Sequence, residues 1–180
     1  AQIAIFFAIM LVLHLLSSVI FNLLPVPIKP TIIHIPVIIA SIIYGPRIGA
    51  VLGALMGVIS VVTNTVVLLP TSYLFSPFVE NGSINSLMIA MVPRILIGIT
   101  PYFVYKWMKT KPGLVLAGAV GSMTNTIFVL GGIFILFSSV YNGDIKAMLA
   151  LIFSANAISE MIISAILTVA IVPALEKLKK

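Results

Sequence analysis

The sequence predicts an all-α integral membrane protein with six transmembrane helices. Three observations support this fold class. Of the 180 residues, 61% are hydrophobic and only 8% are charged, whereas about 25% of the residues of an ordinary soluble domain are charged. The mean hydropathy is +1.28, and apolar stretches run nearly from end to end. Too few polar side chains remain to cover a water-facing surface, so lipid must be the solvent for most of the chain.

The composition and the motif content also exclude several classes of protein. The chain contains no cysteine, which excludes a disulfide framework, thiolate catalysis and cysteine-ligated zinc or iron–sulfur sites. It lacks the motifs G-x-x-x-x-G-K-[ST], G-x-S-x-G and H-E-x-x-H and any carboxylate cluster suited to magnesium. The sequence therefore predicts no enzymatic activity, no ATPase of its own, no cofactor and no metal site.

Prolines and glycines mark the ends of the first two predicted segments. A helix crosses ~30 Å of hydrocarbon with about 20 residues. The first segment covers residues 1–24 and stops at Pro25-Val26-Pro27, because a proline lacks the N–H and crowds the preceding helical turn. Since its start lacks a basic flank and a clear cleavage site, we interpret it as a span and not as a signal peptide. The second segment, residues 32–44, ends at Gly45-Pro46 and is short for a full span.

Four longer spans complete the predicted fold. They cover residues 48–69, 86–107, 113–137 and 146–175. The longest break in the chain, residues 70–85, separates the first two of these and carries several aromatic side chains. No linker is long enough to separate two soluble domains, so we expect residues 1–180 to form a single six-helix membrane domain.

Six spans place both chain ends on one side of the membrane, and the basic residues indicate which side. One face collects the basic residues Arg47, Lys106, Lys109, Lys111, Lys177, Lys179 and Lys180. The opposite face has only Lys29 and Lys146, together with Glu80 and Asp144. Because cytoplasmic loops carry the excess of Lys and Arg, both termini are predicted in the cytoplasm and the aromatic loop outside.

Small residues recur on one face of the third span and on one face of the first. Around the start of the third span every fourth residue is a glycine: Gly45, Gly49, Gly53 and Gly57. Glycines at this spacing let a second backbone approach closely, and we favour packing within the chain over packing against another protein. The first span carries Ala1, Ala4 and Ala8, a weak signal by itself because alanines at this spacing are common.

Two full charges fall inside predicted spans, Arg94 in the fourth and Glu160 in the sixth. A charge in hydrocarbon is costly and usually persists only with a partner or a function. At ~1.5 Å per residue, Arg94 lies ~12 Å and Glu160 ~20 Å from the outer ends of their helices. Since these depths are similar, one interpretation is a buried ion pair that only holds two helices together.

Other polar residues favour a binding cavity over an isolated ion pair. Asn156, Glu160 and Ser164 repeat at four-residue spacing and so form one polar stripe on the sixth span. Asn125 on the fifth span and Asn64 on the third lie at comparable depth. Several spans thus turn hydrogen-bonding groups toward the interior of the bundle, and the sequence predicts a cavity that binds a small polar solute.

Two further residues are candidates for the same site. His34 starts the short second segment at its outer end, with room to face an outer cavity. Phe75 belongs to residues 70–85, which we call the outer loop and which could close over a bound molecule as a lid. The alternative is that the aromatic side chains of this loop rest among the lipid headgroups. His14, in the middle of the first span, is interpreted as a packed, hydrogen-bonded histidine.

The chain resembles the substrate-binding S component of energy-coupling factor (ECF) transporters. The short second helix, the run from Ile35 to Ala50 with its repeating glycines, and the aromatic outer loop carry the resemblance, which covers essentially the whole chain. It implies capture of a vitamin at the outer face of the bacterial cell membrane. It also implies two partners, the transmembrane scaffold subunit EcfT and a pair of cytoplasmic ATPases. The run Ala4-Ile-Phe-Phe-Ala8 resembles the A-x-x-x-A face that docks onto EcfT.

Two tripeptides indicate a branch of that family. His34-Ile35-Pro36 and Ser76-Pro77-Phe78 are most similar to the pantothenate-type members, with a hydroxymethylpyrimidine-type member as the alternative. Pantothenate carries a carboxylate, hydroxyls and an amide, so Arg94 could pair with the carboxylate while asparagines and serines bind the rest. Outside the family, the alternative is an autonomous small transporter or channel.

Overall fold

The computed structural model describes residues 1–23, 31–138 and 143–178, and within them the regular structure is helical. The helices are α1 (Gln2–Leu23), α2 (His34–Tyr44), α3 (Pro46–Val66), α4 (Ile84–Ile97), α5 (Thr100–Trp107), α6 (Lys111–Leu136) and α7 (Gly143–Leu178). A short 3-10 helix, Ser72–Leu74, lies between α3 and α4. The proline cluster at residues 25–27, which was predicted to end the first span, lies outside the described residues, as do Lys29, Lys179 and Lys180.

These helices confirm the predicted six-helix, all-α fold. Five stretches are long and apolar enough to cross a membrane: Gln2–Ile20, Pro46–Val66, Ile84–Trp107, Lys111–Leu136 and Ala155–Leu178. The sixth is the short apolar helix α2. The fourth span differs from the prediction in one respect, because it consists of two helices, α4 and α5. The break lies at Gly98, which follows the last residue of α4, and Pro101 lies in the first turn of α5.

The short helix α2 forms the centre of the bundle. Ten of its eleven residues are buried, and they pack with side chains from α1, α3, α5, α6 and α7 in one hydrophobic cluster. Protein, not lipid, therefore covers this helix, which explains why it need not match the thickness of the membrane. Gly45 ends α2 with φ of 97°, a conformation that glycine adopts without strain, and α3 begins at the next residue.

The glycine ridge of α3 brings this helix into close contact with α4. A Cβ atom on Gly49 would overlap the carbonyl oxygen of Gly98, and one on Gly53 would overlap the carbonyl oxygen of Arg94. A Cβ atom on Gly57 would lie 3.0 Å from a third carbonyl oxygen of α4. The expected packing within the chain is thus confirmed, and Gly53 lies directly against the backbone carbonyl of Arg94.

Helix α1 turns one face to the bundle and the other outward. Phe6 and Met10 are buried against α2 and its neighbours. Ala4 and Ala8 lie on the exposed face, which also carries Val12, 54% exposed. In a membrane protein this outward face meets lipid or a second protein.

The contact between α3 and α4 gives a prediction for stability. We expect Gly53→Ala to lower the free energy of unfolding by about 1–3 kcal/mol, because its new methyl group overlaps a backbone carbonyl. For a chain of this size the melting temperature then falls by roughly 2–4 °C for each kcal/mol. The measurement is thermal unfolding of the purified protein in detergent, followed by circular dichroism.

Gly131→Ala is the matched control for this substitution. Gly131 is also a helical glycine, but a Cβ atom there meets nothing within 4 Å. Because alanine favours the helix over glycine by up to about 1 kcal/mol, this variant should melt at the original temperature or slightly above it. Equal melting temperatures for the two variants would contradict the assigned contact.

Candidate functional site

Two adjoining cavities lie among α3, α4, α6, α7 and the outer loop. Their volumes are about 140 Å³ and about 300 Å³. Four residues line both cavities and form the common wall: Thr31, Phe75, Arg94 and Asn125. The two cavities therefore form one site with two compartments.

The two compartments differ in their other side chains. The smaller one is lined in addition by Thr126, Val129, Asn156 and Glu160, and we call it the acidic compartment. The larger one has polar lining from His14, Ser60, Thr63, Asn64 and Thr71, beside apolar side chains such as Met56 and Ile59. We call it the hydroxyl compartment.

Arg94 is buried in the common wall and is held by a carbonyl group that Pro93 sets free. Pro93 lies inside α4 and has no N–H, so the carbonyl of Ile89, one turn earlier, lacks its usual helical donor. Arg94 Nη1 donates a hydrogen bond of 2.7 Å to that carbonyl. The guanidinium carbon lies 5.3 Å from the centre of the Phe75 ring, within the range of a cation–π contact. Arg94 Nε has no hydrogen-bond partner among the described residues.

Glu160 is buried on α7 and holds the chain segment that leads into α2. Its Oε1 atom accepts two hydrogen bonds from Thr31, one from the backbone N–H at 2.7 Å and one from the hydroxyl at 2.6 Å. Arg94 instead bonds to Ile89, so the two charges share a cavity while each hydrogen-bonds another group. This geometry differs from the simple ion pair that was the structural alternative.

The three predicted asparagines line this site. Asn125 belongs to the common wall, and its Oδ1 atom has no hydrogen-bond partner among the described residues. Asn156 lines the acidic compartment. Asn64 lines the hydroxyl compartment and donates from Nδ2 to the carbonyl of Ser60 at 2.9 Å. Together with Arg94 on α4, side chains from four different spans therefore line the two compartments.

The outer loop directs one phenylalanine inward and another outward. Phe75 is buried and packs with Leu74, Ile89 and neighbouring side chains of α6, whereas Phe78 is 77% exposed. The hydroxyl of Ser76 lies 2.6 Å from that of Thr65, near the end of α3. The loop thus contributes Phe75 to the common wall of the two compartments and leaves Phe78 on the surface.

The two histidines lie in different surroundings. His34 is buried, and its Nε2 atom lies 2.7 Å from Ser164 Oγ on α7, outside the lining of both compartments. His14 pairs with Thr63 Oγ1 at 3.1 Å, as expected of a packed histidine, but it also lines the hydroxyl compartment. The sequence did not indicate Thr31 as a lining residue, because no sequence pattern distinguishes a threonine that follows a proline-rich stretch.

Comparisons with known proteins agree with this architecture. Residues 1–172 match the family model described as "ECF transporter, substrate-specific component". The chain is 50% identical over 182 residues to a protein of Lactococcus lactis subsp. cremoris named "Pantothenic acid transporter PanT", covering 98% of this chain and 93% of the relative. It is 31% identical over 162 residues to "Pantothenate transporter PanT" of Leuconostoc mesenteroides, covering 79% of this chain and 73% of the relative.

The position of His34 gives a prediction that concerns stability. Ser164→Ala removes the hydroxyl partner of a buried ring nitrogen, and an unpaired buried polar group costs about 1–3 kcal/mol. We expect a melting temperature lower by roughly 2–4 °C for each kcal/mol. Ser159→Ala is the control on the same helix, because the Ser159 hydroxyl donates to the carbonyl of Ala155 within α7 itself and not to a neighbouring described helix. A loss of stability as large for Ser159→Ala would contradict a structural role for the histidine–serine contact.

Proposed function

The chain belongs to the family of ECF transporter substrate-specific components, and from this premise we propose that it is the pantothenate-binding subunit of an ECF importer. Family membership makes it a multi-pass protein of the bacterial membrane and a substrate-binding subunit, not an enzyme. The vitamin, its contacts and the partner subunits are the parts that we propose.

The single observation that carries the proposal is a buried arginine beside a cavity of the right size and polarity. Pockets for small organic ligands have volumes of roughly 300–1,000 Å³, and the hydroxyl compartment alone has about 300 Å³. The Nε donor of Arg94 has no hydrogen-bond partner among the residues that the structure describes, which suits a ligand with a carboxylate. Asn125 and Asn156 supply amide groups for the amide and hydroxyls of pantothenate. Both relatives described above are named as transporters of this vitamin.

Hydroxymethylpyrimidine is the alternative ligand within the family. It is neutral, so it would gain little from a buried guanidinium and should prefer aromatic stacking with amide contacts. Within the described lining of the site Phe75 supplies the aromatic ring, and that ring already contacts Arg94. The geometry therefore supports an anionic ligand better than a neutral heterocycle.

We also propose that energy for uptake comes from partner subunits. The chain has no phosphate-binding motif of its own, so ATP hydrolysis must occur elsewhere in the transporter. The family resemblance implies the scaffold subunit EcfT and two cytoplasmic ATPases. Ala4 and Ala8 lie on the outward face of α1, where small side chains let a helix of another subunit approach closely.

The role of Arg94 is tested by comparing pantothenate with its neutral alcohol, pantothenol. We expect Arg94→Ala to weaken pantothenate binding by about a hundredfold or more, since a desolvated charged hydrogen bond is lost. Pantothenol, which lacks the carboxylate, should lose much less affinity. The measurement is isothermal titration calorimetry on the purified protein with both ligands and with hydroxymethylpyrimidine.

Arg47→Ala is the control, because Arg47 is exposed at the start of α3 and should not affect binding. Retained pantothenol binding shows that Arg94→Ala is folded. Undiminished pantothenate affinity in that folded variant would remove Arg94 from the site. Binding of hydroxymethylpyrimidine but not of pantothenate by the unsubstituted protein would overturn the proposed substrate.

The docking face is tested by adding bulk to α1. We expect Ala4→Trp and Ala8→Trp to abolish copurification with EcfT and the ATPases while pantothenate affinity stays the same, because the indole prevents close helix contact. Val115→Trp is the control, since Val115 is exposed on a different helix, α6. Normal assembly of both alanine variants would rule out this face.

A further inference from the structure

We propose that Glu160 orients the vitamin within the two compartments. In this orientation the pantothenate carboxylate lies in the hydroxyl compartment, on Arg94, and the hydroxyl-bearing end lies in the acidic compartment, where it donates to Glu160. The inference rests on the proposed function and adds to it the direction in which the ligand lies.

In this proposal the ligand extends through both compartments, because Arg94 and Asn125 line both of them. The acidic compartment has about 140 Å³, well below the roughly 300–1,000 Å³ of pockets that enclose a small organic molecule. The hydroxyl compartment adjoins it across the common wall of Thr31, Phe75, Arg94 and Asn125. A chain-like molecule with different ends can therefore lie in two directions, and the wall residues contact it in both.

The two charges of the site are distributed unequally between the compartments. Arg94 lines both, so it can pair with a carboxylate on either side. Glu160 lines only the acidic compartment, and the described lining of the hydroxyl compartment contains neither aspartate nor glutamate. Arg94 attracts the ligand carboxylate equally from either compartment, so Glu160 determines the orientation of the ligand.

A carboxylate in the acidic compartment would face another carboxylate at short range. Both groups are only hydrogen-bond acceptors when ionised, and like charges in a buried site repel strongly. Thr31 donates both of its hydrogen bonds to Oε1 of Glu160, and an ionised carboxylate can accept further bonds through its second oxygen. The pantothenate hydroxyls are donors and can supply such a bond, so the acidic compartment suits the hydroxyl end.

The hydroxyl compartment offers what a carboxylate requires. Its lining includes the hydroxyls of Ser60, Thr63 and Thr71, each of which can donate to an anionic oxygen. Its apolar side chains, among them Met56 and Ile59, exclude water from the ion pair. A carboxylate on this side therefore meets Arg94 and hydroxyl donors without a competing negative charge.

One substitution made in each compartment tests the orientation. Thr71 lines only the hydroxyl compartment and Thr126 only the acidic one, and both are half-buried. The measured quantity is the ratio of the dissociation constants for pantothenate and pantothenol, by calorimetry on the purified full chain. We expect Thr71→Asp to raise this ratio by roughly tenfold or more, because a new negative charge lies beside the carboxylate. Thr126→Asp should leave the ratio within about threefold of its original value.

Neutral variants separate charge from shape and from misfolding. Thr71→Asn and Thr126→Asn place side chains of nearly the same size without a charge, and each should keep the original ratio. Pantothenol binding by each aspartate variant shows that the protein is folded. If Thr126→Asp raised the ratio instead, or if both substitutions raised it equally, the orientation would be wrong.

A double substitution tests Glu160 itself. In Thr71→Asp/Glu160→Gln the acidic compartment no longer repels a carboxylate, so the ligand can reverse its direction. The roughly tenfold increase that Thr71→Asp causes in the ratio of dissociation constants should then shrink severalfold. If the ratio of dissociation constants rose as much in the double variant as in Thr71→Asp alone, the assignment to Glu160 would be overturned. Failure of the unsubstituted protein to bind pantothenate would instead overturn the proposed function, so the two failures are distinguishable.

Discussion

Within a membrane a polar group must find its partner inside the protein, and this constraint governs the whole structure. Pro93 leaves the carbonyl of Ile89 without a helical donor, and Arg94 provides one. Glu160 accepts hydrogen bonds from the backbone N–H and the hydroxyl of Thr31. Each buried charge therefore has a structural hydrogen bond and still contributes to the lining of the cavity.

The same constraint supports the proposed ligand site. Arg94 Nε and Asn125 Oδ1 are buried, line a cavity and have no hydrogen-bond partner among the described residues. Such groups are costly in a low-dielectric interior unless something binds them. A ligand with a carboxylate and an amide can satisfy both, which connects the packing of the bundle to the proposed capture of pantothenate.

Helix packing positions these groups. The glycines of α3 allow its backbone to approach that of α4, and the contact at Gly53 is with the carbonyl of Arg94 itself. The buried helix α2 fills the centre of the bundle, and the outer loop packs Phe75 against side chains of α4 and α6. Helix packing thus positions the arginine, while the loop and the segment before α2 contribute Phe75 and Thr31 to the cavity lining.

The sequence by itself determined the solvent, the apolar segments that form the helices and the two charges that lie within them. Hydropathy, proline and glycine positions are local properties, and helical rise converts residue number into depth. It could not determine how each helix is rotated or which neighbour it meets. Only the tertiary structure decided that Arg94 and Glu160 bond to other groups, that His34 pairs with Ser164, and that His14 lines the site. Depth fixes one coordinate of a side chain, and packing between distant segments fixes the other two.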